Sequence, residues 1–72
     1  MSKKTISLEP GESFITLNVM LKITGLIQTG GMAKAFLAET PVLVNGESEN
    51  RRGRKLYSGD VIEVANDTFI IE

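Results

Sequence analysis

Polar and apolar positions alternate near the start of the chain, in Lys4-Thr5-Ile6-Ser7-Leu8, so that Ile6 and Leu8 fall on one side of an extended backbone. That alternation predicts a short strand, and Pro10-Gly11 punctuates its end. The period then changes. Leu17, Met20, Leu21 and Thr24 recur at helical spacing, with Ile23 beside them, which predicts an amphipathic helix. Thr16 stands where a hydroxyl caps the first free amides, and Gly25 where a left-handed residue ends the helix. After the short connection Leu26-Ile27-Gln28, Thr29-Gly30-Gly31 opens a second helix that runs to about Glu39. Met32, Ala33, Phe36 and Leu37 form its apolar face, and Pro41 disfavours helix at Thr40. So short a connection predicts that the two helices pack against each other as a hairpin.

Val42-Leu43-Val44 is apolar and largely β-branched, hence a strand. Asn45-Gly46 is the strongest short-range turn signal in the chain, and Glu47 to Asn50 return as the partner strand. Arg51-Arg52-Gly53-Arg54-Lys55 reads as a basic, flexible segment. Ser58-Gly59-Asp60 turns into the strand Val61–Val64, and Asn66-Asp67 turns into Thr68–Ile71. The order β-α-α-β-β-β-β predicts an α+β domain, with no internal repeat, linker or low-complexity tract.

Composition narrows the function. Seventy-two residues predict a single domain, 1–72. With 42% hydrophobic and 24% charged residues, the chain is not of the disordered class. It contains neither cysteine nor histidine. Disulfides, thiolate metal sites, cysteine nucleophiles and the usual proton-transfer side chain are all missing. The expectation is therefore a binding protein, not an enzyme, with no cofactor, no metal and no small-molecule substrate. The longest apolar run is interrupted by Lys22 and Thr24, well short of the roughly 20 residues of a membrane span. The start, Met-Ser-Lys-Lys-Thr, lacks the apolar core of a signal peptide. A cytoplasmic location without a membrane partner follows as an expectation.

The net charge of −1 conceals a segregation. Between residues 22 and 55, Lys22, Lys34, Arg51, Arg52, Arg54 and Lys55 outweigh Glu39, Glu47 and Glu49 by three. Beyond residue 55 come Asp60, Glu63, Asp67 and Glu72 and no base. A local basic field, not the total, attracts phosphate. Three features share that field. Thr29-Gly30-Gly31 with Lys34 offers free amides, close backbone approach and a cation that lacks an acidic neighbour on its own helix. Lys22, late in the first helix, suits the helix dipole and matters only if it faces the same side as Lys34. Arg51, Arg52, Arg54 and Lys55 suit bidentate phosphate contacts, although Glu47 and Glu49 stand close enough to neutralise part of the cluster. Each has a plainer account: a glycine-rich helix start, a cation at a helix end, a strand edge protected by charge. Phe14, Phe36 and Phe69 read as core and only Tyr57 as surface, so a base-stacking platform of the single-strand type is not expected.

Leu21-Lys22, Gly30-Gly31-x-Ala33-Lys34-x-x-Leu37, Val42-x-Val44-Asn45-Gly46-Glu47, Arg51-Arg52-Gly53-Arg54-Lys55-Leu56 and Gly59-Asp60-Val61-Ile62 occur in that order. Over about residues 14–64 the chain resembles the alpha-L RNA-binding domain named after small-subunit ribosomal protein four, in particular its free-standing, YaaA-like single-domain type. The resemblance implies a two-helix hairpin packed on a small, mostly antiparallel twisted sheet. It implies binding of structured RNA, ribosomal RNA or tRNA, in ribosome assembly or translation. Carried over by position, the RNA face comprises Lys22, Thr29, Gly30, Gly31, Lys34, Arg51, Arg52, Arg54 and Lys55. Asn45 takes mainly a backbone role, and Gly59-Asp60 a structural one. The chain departs from many relatives in having Gly30 where they carry a basic residue, which leaves either a weaker grip or a contact through backbone amides. The competing reading is a protein-interaction adaptor that keeps the fold without RNA, favoured by the acidic end. A ubiquitin-like carrier would need a Gly-Gly tail, whereas this chain ends Ile70-Ile71-Glu72.

Overall fold

The computed structural model describes residues 2–72, so Met1 lies outside the described residues. In chain order they form β1 (Ser2–Ile6), β2 (Phe14–Thr16), α1 (Leu17–Ile23), a 3₁₀ turn (Gly30–Met32), α2 (Ala33–Glu39), β3 (Val42–Val44), β4 (Glu47–Ser48), β5 (Lys55–Tyr57), β6 (Val61–Val64) and β7 (Asp67–Ile71). Five strands make one sheet in the order β1-β7-β6-β3-β4. Only the β1–β7 pair is parallel. β2 and β5 form a separate antiparallel ribbon. The class is thus α+β, with two helices and a mixed, mostly antiparallel sheet.

Alternation along the strands puts Ile6, Val42, Val44, Ile62, Val64, Phe69 and Ile71 into one buried cluster. The helices add Leu17, Met20, Leu21, Ala33 and Leu37, and the ribbon adds Ile15 and Leu56. α1 begins where expected: Thr16 is extended at φ −86°, ψ 159°, and its Oγ1 accepts from the Val19 amide at 3.4 Å. Gly25, at φ +81°, ends the turn that follows.

Several expectations need correction. The first strand is Ser2–Ile6, so Leu8 lies past its end and only packs against the core from the side. The second helix starts with a 3₁₀ turn, and α-winding begins at Ala33. A 3₁₀ turn has three residues per turn, so helical spacing extended backwards from Phe36 misplaces Met32, which is 45% exposed. Strand pairing after the Asn45-Gly46 turn covers only Glu47–Ser48. β2 and β5 were not expected, and the next turn falls on Ala65-Asn66, at φ +54° and +68°, one residue early.

Asn45 does more than bend the backbone. It adopts φ +53°, and its amide donates through Nδ2 to Asp60 Oδ1 at 3.1 Å while Oδ1 accepts from the Val61 amide at 2.9 Å. Asp60 also accepts from the Tyr57 amide at 2.8 Å. This exchange ties the β3–β4 turn to the β5–β6 turn and fixes where β5 emerges.

Candidate functional site

The first amides of a helix have no partner inside it. In α1 they reach across to the basic segment. The Leu17 amide donates to the Arg54 carbonyl at 2.8 Å, and the Asn18 amide to the Arg52 carbonyl at 2.9 Å. Arg54 in turn closes a tight turn onto the Arg51 carbonyl at 3.1 Å. Residues 51–54 are therefore stapled to the start of α1, and the expectation of a flexible segment is overturned.

The same place receives the start of the second helical segment. A Cβ on Gly30 would stand 3.2 Å from Asn18 Nδ2, so any side chain there presses on the asparagine. Glycine at this position lets the second helical start approach the asparagine without displacing it. Asn18 Oδ1 is buried and has no hydrogen-bond partner among the described residues. Asn18 thus joins three stretches far apart in sequence, and sequence reading missed it because it carries no charge and belongs to no motif.

Glu49 organises the arginines. It is 7% exposed, and its backbone amide donates to the Val42 carbonyl at 2.8 Å. Its Oε2 accepts from the Arg51 amide and from Arg51 Nε, both at 3.0 Å. Its Oε1 accepts from Arg51 Nη2 at 3.3 Å and Arg54 Nη1 at 2.7 Å. The Arg51 side-chain bonds, against the opposing effect of burial and with help from Arg54, pull the Glu49 carboxyl down from 4.5 to about 2. The same contact raises the Arg51 guanidinium. Glu47, the other acid flagged beside the cluster, is exposed on β4.

The remaining cations stand open. Lys22, Lys34, Arg52 and Lys55 are exposed and form no ion pair among the described residues. Lys22 lies one helical turn beyond Asn18 on α1, and Lys34 lies in the first turn of α2. Lys55 Nζ sits 4.9 Å above the Phe14 ring. Thr29 is extended at φ −133° with its hydroxyl uncommitted to the turn it precedes, and Gly31 is exposed. The structure therefore gathers Gly30, Arg51, Arg52 and Arg54 around α1's start. Lys22 and Lys34 flank that junction without bonding to it. Elsewhere, a shallow groove of about 360 Å³ is lined by Thr40, Pro41 and Leu43 with the acids Glu63 and Asp67, a setting that disfavours a polyanion.

A stability consequence follows from Glu49. A carboxyl whose pKa is lower in the folded than in the unfolded chain contributes stability above the unfolded value, near 4.5, and loses it as pH falls through the folded value, near 2. The full shift bounds the effect at about 3 kcal/mol. Because the Arg51 side chain is 74% exposed, solvent screening reduces this to about 1–2 kcal/mol. In urea denaturation, the stability gap between the parent and Glu49→Gln should close as pH falls from 5 to 2. A gap that stays constant with pH would show that the carboxylate's charge contributes nothing.

No helix among the described residues is long and apolar enough to cross a membrane. The arrangement is that of a small α+β domain in which a basic turn and the start of the second helical segment meet at the start of α1. The chain belongs to the S4 domain family, which it matches over residues 8–72. Over 50 residues it is 64% identical to a protein of Bacillus subtilis (strain 168) named "Probable ribosome maturation protein RlbA", a match covering 69% of this chain and 70% of that protein. No solved structure matches the chain.

Proposed function

We propose that this S4 domain binds structured RNA, ribosomal RNA or tRNA, without catalysing a reaction, and that it acts in ribosome maturation in the cytoplasm. In this reading residues 1–72 work as one unit, and the helices serve as a hairpin that carries Lys22 and Lys34 on one side of a twisted sheet. The observation that carries it is the junction at Asn18, where the amide bound to Arg52 and the side chain against Gly30 bring the basic turn and the second helical start together. The name of the Bacillus subtilis relative supports the ribosomal context.

Glu49 does not cancel the arginines. Two guanidinium groups share one carboxylate, so the trio retains a positive charge, and N–H donors of both remain unused. An arginine fixed in this way is already oriented for a phosphate, which lowers the ordering cost of binding. With Lys22, Lys34, Arg52 and Lys55 added, the face meets roughly 4 phosphates, so affinity should drop about 10²-fold between 50 and 200 mM salt. Fluorescence anisotropy with labelled ribosomal RNA fragments and tRNA at these two salt concentrations checks this. Absence of binding at low salt, or affinity indifferent to salt, would remove the reading.

A further inference from the structure

The β2–β5 ribbon has two unlike faces. Ile15 and Leu56 point into the core at 6% and 0% exposure. Strand alternation turns their neighbours Phe14, Thr16, Lys55 and Tyr57 to the other side. Phe14 pairs with Tyr57 in the ribbon's register. Their ring centroids lie 5.7 Å apart with the planes tilted by 50°, and Lys55 Nζ covers the Phe14 ring from above. Tyr57 itself is 48% exposed. Its ring borders a groove of about 390 Å³ whose other walls are Arg51, Gly53, Arg54 and Lys55.

The groove therefore offers an aromatic surface set beside the Phe14 ring, with three cations around it and a glycine that lets a ligand's backbone come close. A ligand that uses both must be planar in one part and anionic in another. Paired RNA supplies the anion, but its base faces are already stacked within the helix. An acidic peptide likewise satisfies the guanidinium groups and leaves the ring idle. An unpaired nucleotide satisfies both, because every base has a face to stack and its phosphate lies within the same residue. We infer that this groove receives one unpaired nucleotide of the bound RNA, its base against Tyr57 and its phosphate on Arg51 and Arg54. The inference rests on the RNA-binding reading above and amends the expectation that base stacking plays no part. That expectation assigned Phe14 to the core, whereas Phe14 is half-buried on the ribbon's outer face.

The test uses two labelled RNA hairpins of the same sequence, one fully paired and one with a single extruded nucleotide. The full-length protein should bind the second more tightly, by roughly 5- to 150-fold for one base stacked on an aromatic ring. Tyr57→Ala should abolish that preference while holding the paired hairpin within about twofold of the parent. Tyr57→Phe should keep the preference. Tyr57 is the chain's single tyrosine, so its ring protons are assigned without ambiguity in NMR spectra, and they should move upfield with the extruded nucleotide only. Equal binding of both hairpins with unshifted ring protons overturns the groove and leaves RNA binding standing. A Tyr57→Ala protein weakened equally toward both hairpins overturns it too, since the ring would then be a structural support. If neither hairpin binds, the groove and the RNA-binding reading fail together.

Discussion

Leu56→Ala should cost about 2–5 kcal/mol of folding stability, a large part of what a 72-residue domain has. Leu56 is fully buried between two outward-facing residues, Lys55 and Tyr57. Its side chain joins the ribbon to the core that the sheet and helices share. Truncation leaves a cavity that the surrounding strands close only in part. Had the flexibility expected of Arg51–Lys55 extended to the adjoining Leu56, the same substitution would cost less than about 0.5 kcal/mol. Urea denaturation at neutral pH separates the two outcomes. Leu56→Met, which conserves volume, should stay within about 1.5 kcal/mol of the parent. A Leu56→Ala protein as stable as the parent would mean that the basic turn is not anchored through the core.

The parts of the fold that sequence reveals are those with local causes. Thr16 caps α1 because its own hydroxyl reaches an amide three residues away. Gly25, Asn45 and Gly46 take left-handed conformations that their side chains, or lack of one, tolerate. The ribbon has no such signal. β2 and β5 are three residues each and turn only one residue each into the core, so two half-periods of alternation stand among charges. Met32 is misread because the winding changes from 3₁₀ to α at Ala33, a switch that helical spacing cannot register.

The site divides in the same way. The charged residues are visible one by one in the sequence. Their organisation depends on contacts between distant stretches: carbonyls of Arg52 and Arg54 on amides of α1, and Glu49 anchored on β3. Proximity in sequence marked both Glu47 and Glu49 as candidates to neutralise the arginines. Only the fold decides between them, because the backbone bond to Val42 fixes Glu49 beneath the turn.

Replacing Lys22, Lys34 and Arg52 together by alanine should weaken RNA binding roughly 100-fold at low salt and lower the salt-dependence slope by about three. These three are the proper choice for a physical reason. They are exposed and carry no ion pair among the described residues, so each truncation should shift stability by no more than about 0.5 kcal/mol, and the melting temperature serves as the control. Arg51 and Arg54 fail that requirement. Removing either leaves Glu49 short of a partner in a largely buried position, and a loss of binding would then mix a missing phosphate contact with a loosened turn. The Arg52 change is informative in a further respect. The bond from the Asn18 amide to residue 52 uses the main-chain carbonyl, which alanine retains, so the turn keeps its place while its one unpaired arginine side chain is lost. A triple variant that folds like the parent and binds RNA with undiminished affinity and slope would show that the polyanion lies on another surface of the domain.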